Sequence, residues 1–261
     1  MARIIAIANQ KGGVGKTTTA VNLCASLAAL ERKTLLVDID PQGNATSGFG
    51  IDADSLTNTI YEVLIEKIDA REAVIDTEIG FLHILPSNIR LCGAQIELVN
   101  MLEREKKLYH AARSLDEEYD YIIIDCPPSL GILTVNAMVA AKSILIPIQC
   151  EYYALEGVGQ LLNSIRLVQK GLNTDLTIEG VLLTMFDGRL NLSNQVTEEV
   201  RSYFEDRVYN TVITRNVRLG EAPSFGKPII LYDILSAGAR SYLQLAKEVD
   251  NNAKKGARKR A

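Results

Sequence analysis

The residues at positions 9–18 have the types and the spacing that bind a polyphosphate. They read NQKGGVGKTT and lie between the apolar run 3–8 and an Ala- and Leu-rich segment. Glycines let successive backbone N–H groups curl around phosphates without Cβ clashes, and the amino end of a helix adds a positive dipole. This order of strand, turn and helix predicts a phosphate-binding loop that contains Lys11, Gly12, Gly13, Val14, Gly15, Lys16, Thr17 and Thr18.

Two residues, Gln10 and Lys11, distinguish this loop from the general pattern GxxxxGK[ST]. That pattern requires Gly at its first position, where this chain has Gln10, and a second lysine, Lys11, stands beside the glycine pair. Lys16 is predicted to neutralise the β and γ phosphates of a nucleotide, and the Thr17 hydroxyl to ligate Mg²⁺.

Carboxylates follow two further apolar runs. Run 34–38 leads into DIDPQGN, which contains Asp38 and Asp40, and run 121–125 ends in Asp125. The carboxyl ends of parallel strands open onto the edge that carries the phosphate loop. Asp125 therefore fits an outer-sphere partner of Mg²⁺, and Asp40 a group that orients the attacking water. Asp38 fits either an indirect magnesium contact or a loop-fixing residue, and turn formation alone is the structural alternative for both Asp38 and Asp40.

The surrounding pattern must place these groups on one sheet. Apolar, β-branched runs alternate with segments of helical period, which is typical of βα units around a parallel sheet. The fold class predicted is α/β, a doubly wound, mostly parallel sheet flanked by helices. The pattern predicts strands at 3–8, 34–38, 82–85, 121–125, 143–147, 177–185 and 211–213, and helices at 16–30, 95–115, 155–170, 193–204 and 237–249.

Composition sets the class of protein. The chain has 261 residues, of which 47% are hydrophobic, and a formal net charge of −4. These values argue against a disordered, collagenous or coiled-coil chain, and no apolar run is long enough to predict a spanning helix or a signal peptide. We expect one cytoplasmic domain over residues 1–250 and a basic, mobile tail at 251–261. Because the tail carries no acid and five cations, residues 1–250 carry −9, so a nucleic-acid partner must be argued from local placement.

The cysteines give no sign of a metal or redox motif. Their spacing matches no CxxC pattern, and we expect buried, reduced thiols at Cys24, Cys92, Cys126 and Cys150.

The string KGGVGKTT matches the deviant Walker A motif, and on it the chain resembles the deviant Walker ATPases. That group includes partition proteins of the ParA/Soj type, MinD and nitrogenase iron protein. Four further strings resemble the short, chromosomal ParA/Soj type: DIDPQGNATSG, EYYALEG at 151–157, LLTMFDGRLNLSN and NVRLGEAPSFGKP. The resemblance implies ATP and ADP as ligands with Mg²⁺, Asp40 as the hydrolytic aspartate, and a nucleotide sandwich homodimer. Lys11 and Gly12 would lie at its interface, and Lys11 would reach the partner's phosphates.

The same resemblance implies partners and a location. ATP-joined subunits of this family hold double-stranded DNA without sequence preference, and the matching positions here are Arg189 and Arg218, with Arg215 and Lys227 as weaker candidates; solvated surface cations are the structural alternative. A ParB-type centromere-binding protein would stimulate hydrolysis, a replication initiator is a further implied partner, and the protein would associate with the nucleoid. For adenine, the late loops of relatives point to Met185 and to the segment from Asn216 to Pro223.

Two other classes of protein remain as alternatives. A MinD-like, membrane-associated positioning ATPase requires large apolar residues opposite the cations of its C-terminal helix, whereas this chain offers only Ala after Val249, so we expect no membrane partner. The second alternative is a metabolic or metal-cofactor ATPase, including an iron–sulfur protein, for which Cys92 and Cys126 invite comparison.

Overall fold

The computed structural model describes residues 1–152, 154 and 156–258. Residues 153, 155 and 259–261, which carry parts of the EYYALEG string, of the predicted helix 155–170 and of the predicted tail, lie outside the described residues. The strands are β1 (Arg3–Ile7), β2 (Thr34–Asp38), β3 (Ile75–Asp76), β4 (Leu82–Leu85), β5 (Tyr121–Asp125), β6 (Ser143–Gln149) and β7 (Thr177–Thr184).

Helices cover both faces of the sheet. The α-helices are α1 (Lys16–Ala28), α2 (Asn44–Ser47), α3 (Ile60–Leu64), α4 (Ala70–Ala73), α5 (Leu91–Glu97), α6 (Lys107–Leu115), α7 (Ile132–Ala140), α8 (Glu156–Gly171), α9 (Asn191–Phe204), α10 (Val217–Glu221), α11 (Ile229–Tyr232) and α12 (Ala237–Arg258). Short 3₁₀ segments lie at Ala53–Ser55, Leu98–Asn100, Arg104–Lys106, Glu205–Arg207 and Ala222–Phe225.

Within the described residues, one sheet has the strand order β3-β4-β2-β5-β1-β6-β7. All its neighbours are parallel except β3, which pairs antiparallel with β4. The strands are apolar on successive residues because both faces are covered. In β5, Ile122 and Ile124 face one hydrophobic core, and Tyr121 and Ile123 face the other. This confirms the predicted doubly wound, mostly parallel α/β fold.

The register of the central strands brings the predicted chemistry to one edge. In β5, Asp125 pairs with Ile7 at the end of β1 and with Asp38 at the end of β2. The phosphate loop leaves β1 at that edge, so the loop and the two carboxylates meet there.

Two predicted elements differ from the structure, and one helix of the core was missed. Residues 211–213 are not a strand, although Ile213 N donates to Leu183 O at 2.9 Å. The predicted helix 95–115 is interrupted, because Glu103 has a φ of 50° and the Asn136 side chain bonds Leu108 N and Arg104 O, which satisfies the broken backbone. Helix α7 was not predicted, because it is apolar on nearly all sides and has no helical period.

Helix α12 continues past the predicted end at Val249 to Arg258. Alanine, lysine and arginine favour a helix, and Lys254 bonds Asp250 one turn earlier at 2.7 Å. The helix runs alongside α1, since Tyr242 contacts Thr19 near the start of α1 and Asp250 contacts Arg32 just beyond its end. No helix among the described residues has the length and apolar character needed to cross a membrane.

The cysteine prediction is wrong for one residue. Cys24, Cys126 and Cys150 are buried and reduced, whereas Cys92 is exposed on α5. The exposure follows from the helix face, because its neighbour Leu91 points into the core and is fully buried.

Candidate functional site

The phosphate loop has the backbone that its glycines predict. Gly13 and Gly15 have φ values of 74° and 85°, in the left-handed region that favours glycine. Gly15 also precedes the first residue of α1, and no side chain caps that helix. The first N–H groups of α1 therefore remain available for an anion, as a phosphate site requires.

Polar contacts fix the loop to its surroundings. Thr184 Oγ1 donates to Val14 O at 2.9 Å, and Asn9 Nδ2 donates to Pro147 O at 2.7 Å. Lys16 Nζ donates to Lys11 O at 3.2 Å, so the loop curls around this ammonium group. The loop is thus held by residues of β6 and β7.

Lys16 lies between the phosphate loop and the strand-end carboxylates. Its side chain is buried, and burial lowers its pKa, whereas the carboxylates of Asp125 and Asp40 raise it. The three predicted groups are therefore close enough to interact electrostatically. A phosphate here would meet a cation held among anions.

Asp125 is a buried carboxylate with unused acceptors. Neither of its oxygens accepts a hydrogen bond that meets ordinary geometry from the described residues. Burial raises its pKa well above the usual range and the Asp38 carboxylate adds to this, whereas the Thr17 hydroxyl and Lys16 lower it. An orphaned carboxylate beside Thr17 fits a magnesium site that protein, phosphate and water complete together. Among residues 1–152, 154 and 156–258, no cluster of three or more His, Cys, Asp or Glu is placed to hold a metal.

Asp38 uses its oxygens to fix the loop that follows it. Oδ1 accepts from Asp40 N at 3.1 Å, and Oδ2 accepts from Thr46 N at 2.9 Å and Thr46 Oγ1 at 2.8 Å. Burial raises its pKa to about 6, and these hydrogen bonds oppose the shift. The contacts support the loop-fixing alternative of the two roles predicted for Asp38.

Asp40 is positioned by a residue that the sequence analysis did not select. Ser87 Oγ donates to Asp40 O at 2.8 Å, and Ser87 N bonds Thr46 Oγ1 at 3.0 Å. Asp40 Oδ1 accepts from Gln42 N at 3.0 Å. The signal for Ser87 was present, because it follows the end of β4, as polar residues follow β2 and β5.

A cavity of about 370 Å³ adjoins the phosphate loop. Both residues predicted for adenine line it: Met185, which has a φ of 51°, and Asn216, whose side chain accepts from Arg218 N at 2.9 Å. Gly15 and Thr18 connect the cavity to the loop. Tyr242 of α12 also lines it and was not predicted, since nothing in its local sequence indicates a ligand.

The predicted cationic residues come from two neighbouring segments. Arg189 follows β7, and its side chain is 89% exposed. Phe186 N donates to Ile213 O and Arg215 N to Phe186 O, so the segments that carry Arg189 and Arg215 lie side by side. Arg218 lies on α10, where the Asn216 side chain caps the first turn of a short helix.

Two glycines join the segment after Asp40 to the segment that carries Lys227. Gly50 and Gly226 have φ values of 73° and 60°, and a Cβ at Gly226 would lie 2.8 Å from Gly50 N and closer still to Gly50 Cα. Only glycine fits at such an approach. The segment that follows Asp40 and the segment that carries Lys227 are therefore in direct backbone contact.

Comparisons with known proteins agree with this geometry. Residues 2–178 match the family model described as an AAA domain. The chain is 61% identical over 247 residues to the chromosome partitioning protein ParA of Myxococcus xanthus, covering 95% of this chain and 87% of that protein. It is 61% identical over 252 residues to the sporulation initiation inhibitor protein Soj of Bacillus subtilis, covering 97% and 100%.

A solved structure shares the fold over nearly the whole chain. It is a cobyrinic acid a,c-diamide synthase from Mycobacterium smegmatis with bound ADP and magnesium, 39% identical, with a TM-score of 0.87. The match covers 98% of this chain and 97% of that one.

Proposed function

Because the chain belongs to the ParA/Soj family of partitioning ATPases, we propose that it is an ATP-dependent switch that segregates chromosomes or plasmids. The observation that carries the proposal is the meeting of an uncapped phosphate loop, buried Lys16 and strand-end carboxylates at one sheet edge. Lys227, one of the cations proposed to bind DNA, lines a cavity together with Thr17 and Thr18, so the two proposed sites would lie near each other.

The nucleotide-binding part uses residues of the phosphate loop and its neighbours. The N–H groups of residues 12–18 and the Lys16 ammonium bind the phosphates of ATP or ADP, and the cavity beside Met185 and Asn216 receives the base. Thr17 and Asp125 would hold Mg²⁺, which when bound would supply positive charge beside the phosphates of the nucleotide. Asp38 fixes the following loop.

Asp40 orients the attacking water in this proposal. Its backbone is fixed through Ser87, and its carboxylate through Gln42 N, so the group is preorganised. Phosphoryl transfer requires positioning and charge stabilisation more than covalent chemistry. Replacement of Asp40 would therefore slow hydrolysis and leave nucleotide binding intact.

A second copy of the chain completes the site. A Cβ at Gly12 would meet nothing within 4 Å of its own chain, and this glycine has no positive φ. The need for glycine is therefore absent from a single copy, and the close approach of a partner copy explains it. Lys11, beside it in the same loop, would then reach the nucleotide of that copy.

The ATP-bound dimer binds double-stranded DNA through Arg189 and Arg218, with Arg215 and Lys227 in support. Contacts of this kind go to phosphates and carry no sequence preference. A ParB-type centromere-binding protein stimulates hydrolysis and releases the DNA, and a replication initiator is a further partner. The protein is cytoplasmic and associated with the nucleoid.

The test is binding of Asp40→Ala protein to a random-sequence duplex with ATP and with ADP, across a salt series. We expect binding with ATP only, with a steep loss of affinity as salt rises, because counterions are released from the DNA. Lys16→Ala is the matched control and should not bind DNA with either nucleotide. An ATP dimer that ignores DNA at low salt but sediments with anionic vesicles would favour the MinD-like alternative.

A further inference from the structure

The guanidinium group of Arg189 is already bound by a carboxylate of the same chain. Its Nε donates to Asp187 Oδ1 at 2.9 Å, and a terminal nitrogen donates to Asp187 Oδ2 at 2.7 Å. These two parallel bonds occupy one full edge of the guanidinium plane. A phosphate binds an arginine through the same edge and the same geometry.

The other two arginines proposed to bind DNA, Arg218 and Arg215, also form ion pairs with carboxylates of the same chain. Arg218 Nη1 donates to Glu221 Oε2 at 2.9 Å, and Arg218 Nε lies 3.6 Å from Asp233 Oδ2. Arg215 donates to Glu151 Oε1 at 3.1 Å. Two of these pairs are local, because Asp187 and Glu221 lie two and three residues from their arginines, whereas Glu151 reaches Arg215 from a distant part of the chain.

Phosphate and carboxylate therefore compete for these arginines. We propose that the carboxylates of Asp187, Glu151 and Glu221 act as masks that lower the DNA affinity of each copy, so that useful binding needs the two copies of a dimer. The inference rests on the proposed DNA binding and identifies what limits it. These three groups are called the masking carboxylates below.

A role for Asp187 in supporting the loop that carries Arg189 is the alternative to masking. The two roles predict opposite changes in DNA affinity when the carboxylate is removed. Asp187 Oδ1 accepts from Arg189 N at 3.1 Å as well, so it helps to shape the loop. If shaping dominated, loss of the carboxylate would weaken DNA binding. Masking dominates in our proposal because the Arg189 side chain is 89% exposed and already faces solvent without need of a support.

The charge of the mask persists under ordinary conditions. Hydrogen bonds from Arg189 lower the pKa of Asp187 to about 2. The carboxylate therefore stays ionised across the range in which DNA binding is measured. Displacement by phosphate, and not protonation, removes it.

The experiment compares Asp187→Asn and Glu221→Gln with a matched control, Asp175→Asn. Asp175 is exposed and precedes β7, at the opposite end of the strand from Arg189, and it has no ion pair within the described part of the chain. All variants are made in the Asp40→Ala background and titrated with a random duplex and ATP at one salt concentration. Exposed pairs of this type predict an affinity gain of about twofold to fivefold per copy, hence about fourfold to twenty-fivefold for a dimer. The control should gain less than about twofold, because its charge is distant and screened.

A second variant tests whether the gain needs the arginine. Arg189→Gln combined with Asp187→Asn should show no gain over Arg189→Gln alone, because the released guanidinium is absent. Lower affinity in Asp187→Asn, or an equal gain in Asp175→Asn, would overturn the masking proposal.

Failure of the proposed DNA binding would be visible separately, since the Asp40→Ala parent would then bind no duplex. In that case retention on a phosphocellulose column, without nucleotide, tests the mask alone. Asp187→Asn should elute at higher salt than Asp175→Asn, and elution at the same salt would reject the proposal.

Discussion

Charged groups are buried at the sheet edge beside the phosphate loop, whereas they are exposed at the arginines proposed to bind DNA. The first region, which contains Lys16, Asp38, Asp40 and Asp125, is called the nucleotide edge below. At the nucleotide edge, Lys16, Asp38 and Asp125 are buried, and burial shifts the pKa of each toward its neutral form. Among the arginines proposed to bind DNA, Arg189 and Arg218 are exposed, and each forms an ion pair with a carboxylate of the same chain. Buried charges are costly and therefore specific for their ligand, whereas exposed pairs are weak and easily exchanged.

This contrast predicts different responses to salt. A buried cation is screened little by ions, so nucleotide affinity should change only slightly with ionic strength. Exposed arginines that bind DNA phosphates should lose affinity steeply as salt rises. The two regions suit, respectively, a ligand held through a reaction cycle and a surface that is bound and released.

The largest effect is expected at the nucleotide edge, where the charged groups are buried. Lys16→Ala should weaken ATP binding by about 100-fold or more, because the phosphates lose their ammonium partner while Asp38, Asp40 and Asp125 remain. Isothermal titration calorimetry measures this directly. Lys170→Ala, which removes an exposed lysine near the end of α8, is the control and should bind ATP normally. Unchanged ATP affinity in Lys16→Ala would contradict the phosphate-loop assignment.

At the exposed end, Arg189→Glu should lose DNA binding without loss of the dimer. The change reverses the charge in both copies and places two carboxylates together, so we expect a decrease of about thirtyfold at about 0.1 M salt. Fluorescence anisotropy measures the DNA affinity, and light scattering measures the ATP-dependent dimer. Normal DNA affinity would remove Arg189 from the interface.

An ion pair of intermediate burial lies at the far end of α12. Asp250 accepts from Arg32, Tyr121 and Lys254, and although burial raises its pKa, these bonds lower it to about 2. A lowered carboxyl pKa adds stability above the unfolded value near 4, and that stability is lost as the pH falls through about 2. Asp250→Asn should therefore reduce the free energy of unfolding by about 1–2 kcal/mol at neutral pH. Urea unfolding should show the difference at pH 7 and its disappearance near pH 2; a constant difference would refute the ionic origin.

The smallest effect separates the two principal arginines. Arg218 faces both Glu221 and Asp233, so its charge is more fully neutralised than that of Arg189. Arg218→Gln should lower DNA affinity by about threefold, less than Arg189→Gln, in the same anisotropy assay. An equal or larger loss would show that the acidic neighbours of Arg218 do not limit it.

The nucleotide edge could be predicted because its signals are local. KGGVGKTT and the aspartates after two apolar runs need only the rule that parallel strands end at one edge, and the structure brings Lys16, Asp40 and Asp125 together there. The missed residues act through distant contacts. Ser87 reaches Asp40 from another strand, and Tyr242 reaches the cavity from the C-terminal helix.

The elements that failed did so for related reasons. The broken helix at 95–115 depends on Asn136, which is distant in sequence and replaces backbone hydrogen bonds. Residues 211–213 have strand-like side chains but bond the sheet edge at separate points. The arginines proposed to bind DNA could be selected from the sequence. Their carboxylate partners Glu151 and Asp233 could not, because each lies far in sequence from the arginine that it contacts.

The contact between Gly50 and Gly226 limits how this chain can vary. The two backbones touch where side chains would otherwise stand, so a substitution at either position separates the segments or strains both. A random library selected for folded protein should retain both glycines and accept changes at Gly80 and Gly159, where a Cβ meets nothing within 4 Å. Evolution of the two segments is therefore constrained at this contact by the backbone itself, whatever side chains surround it.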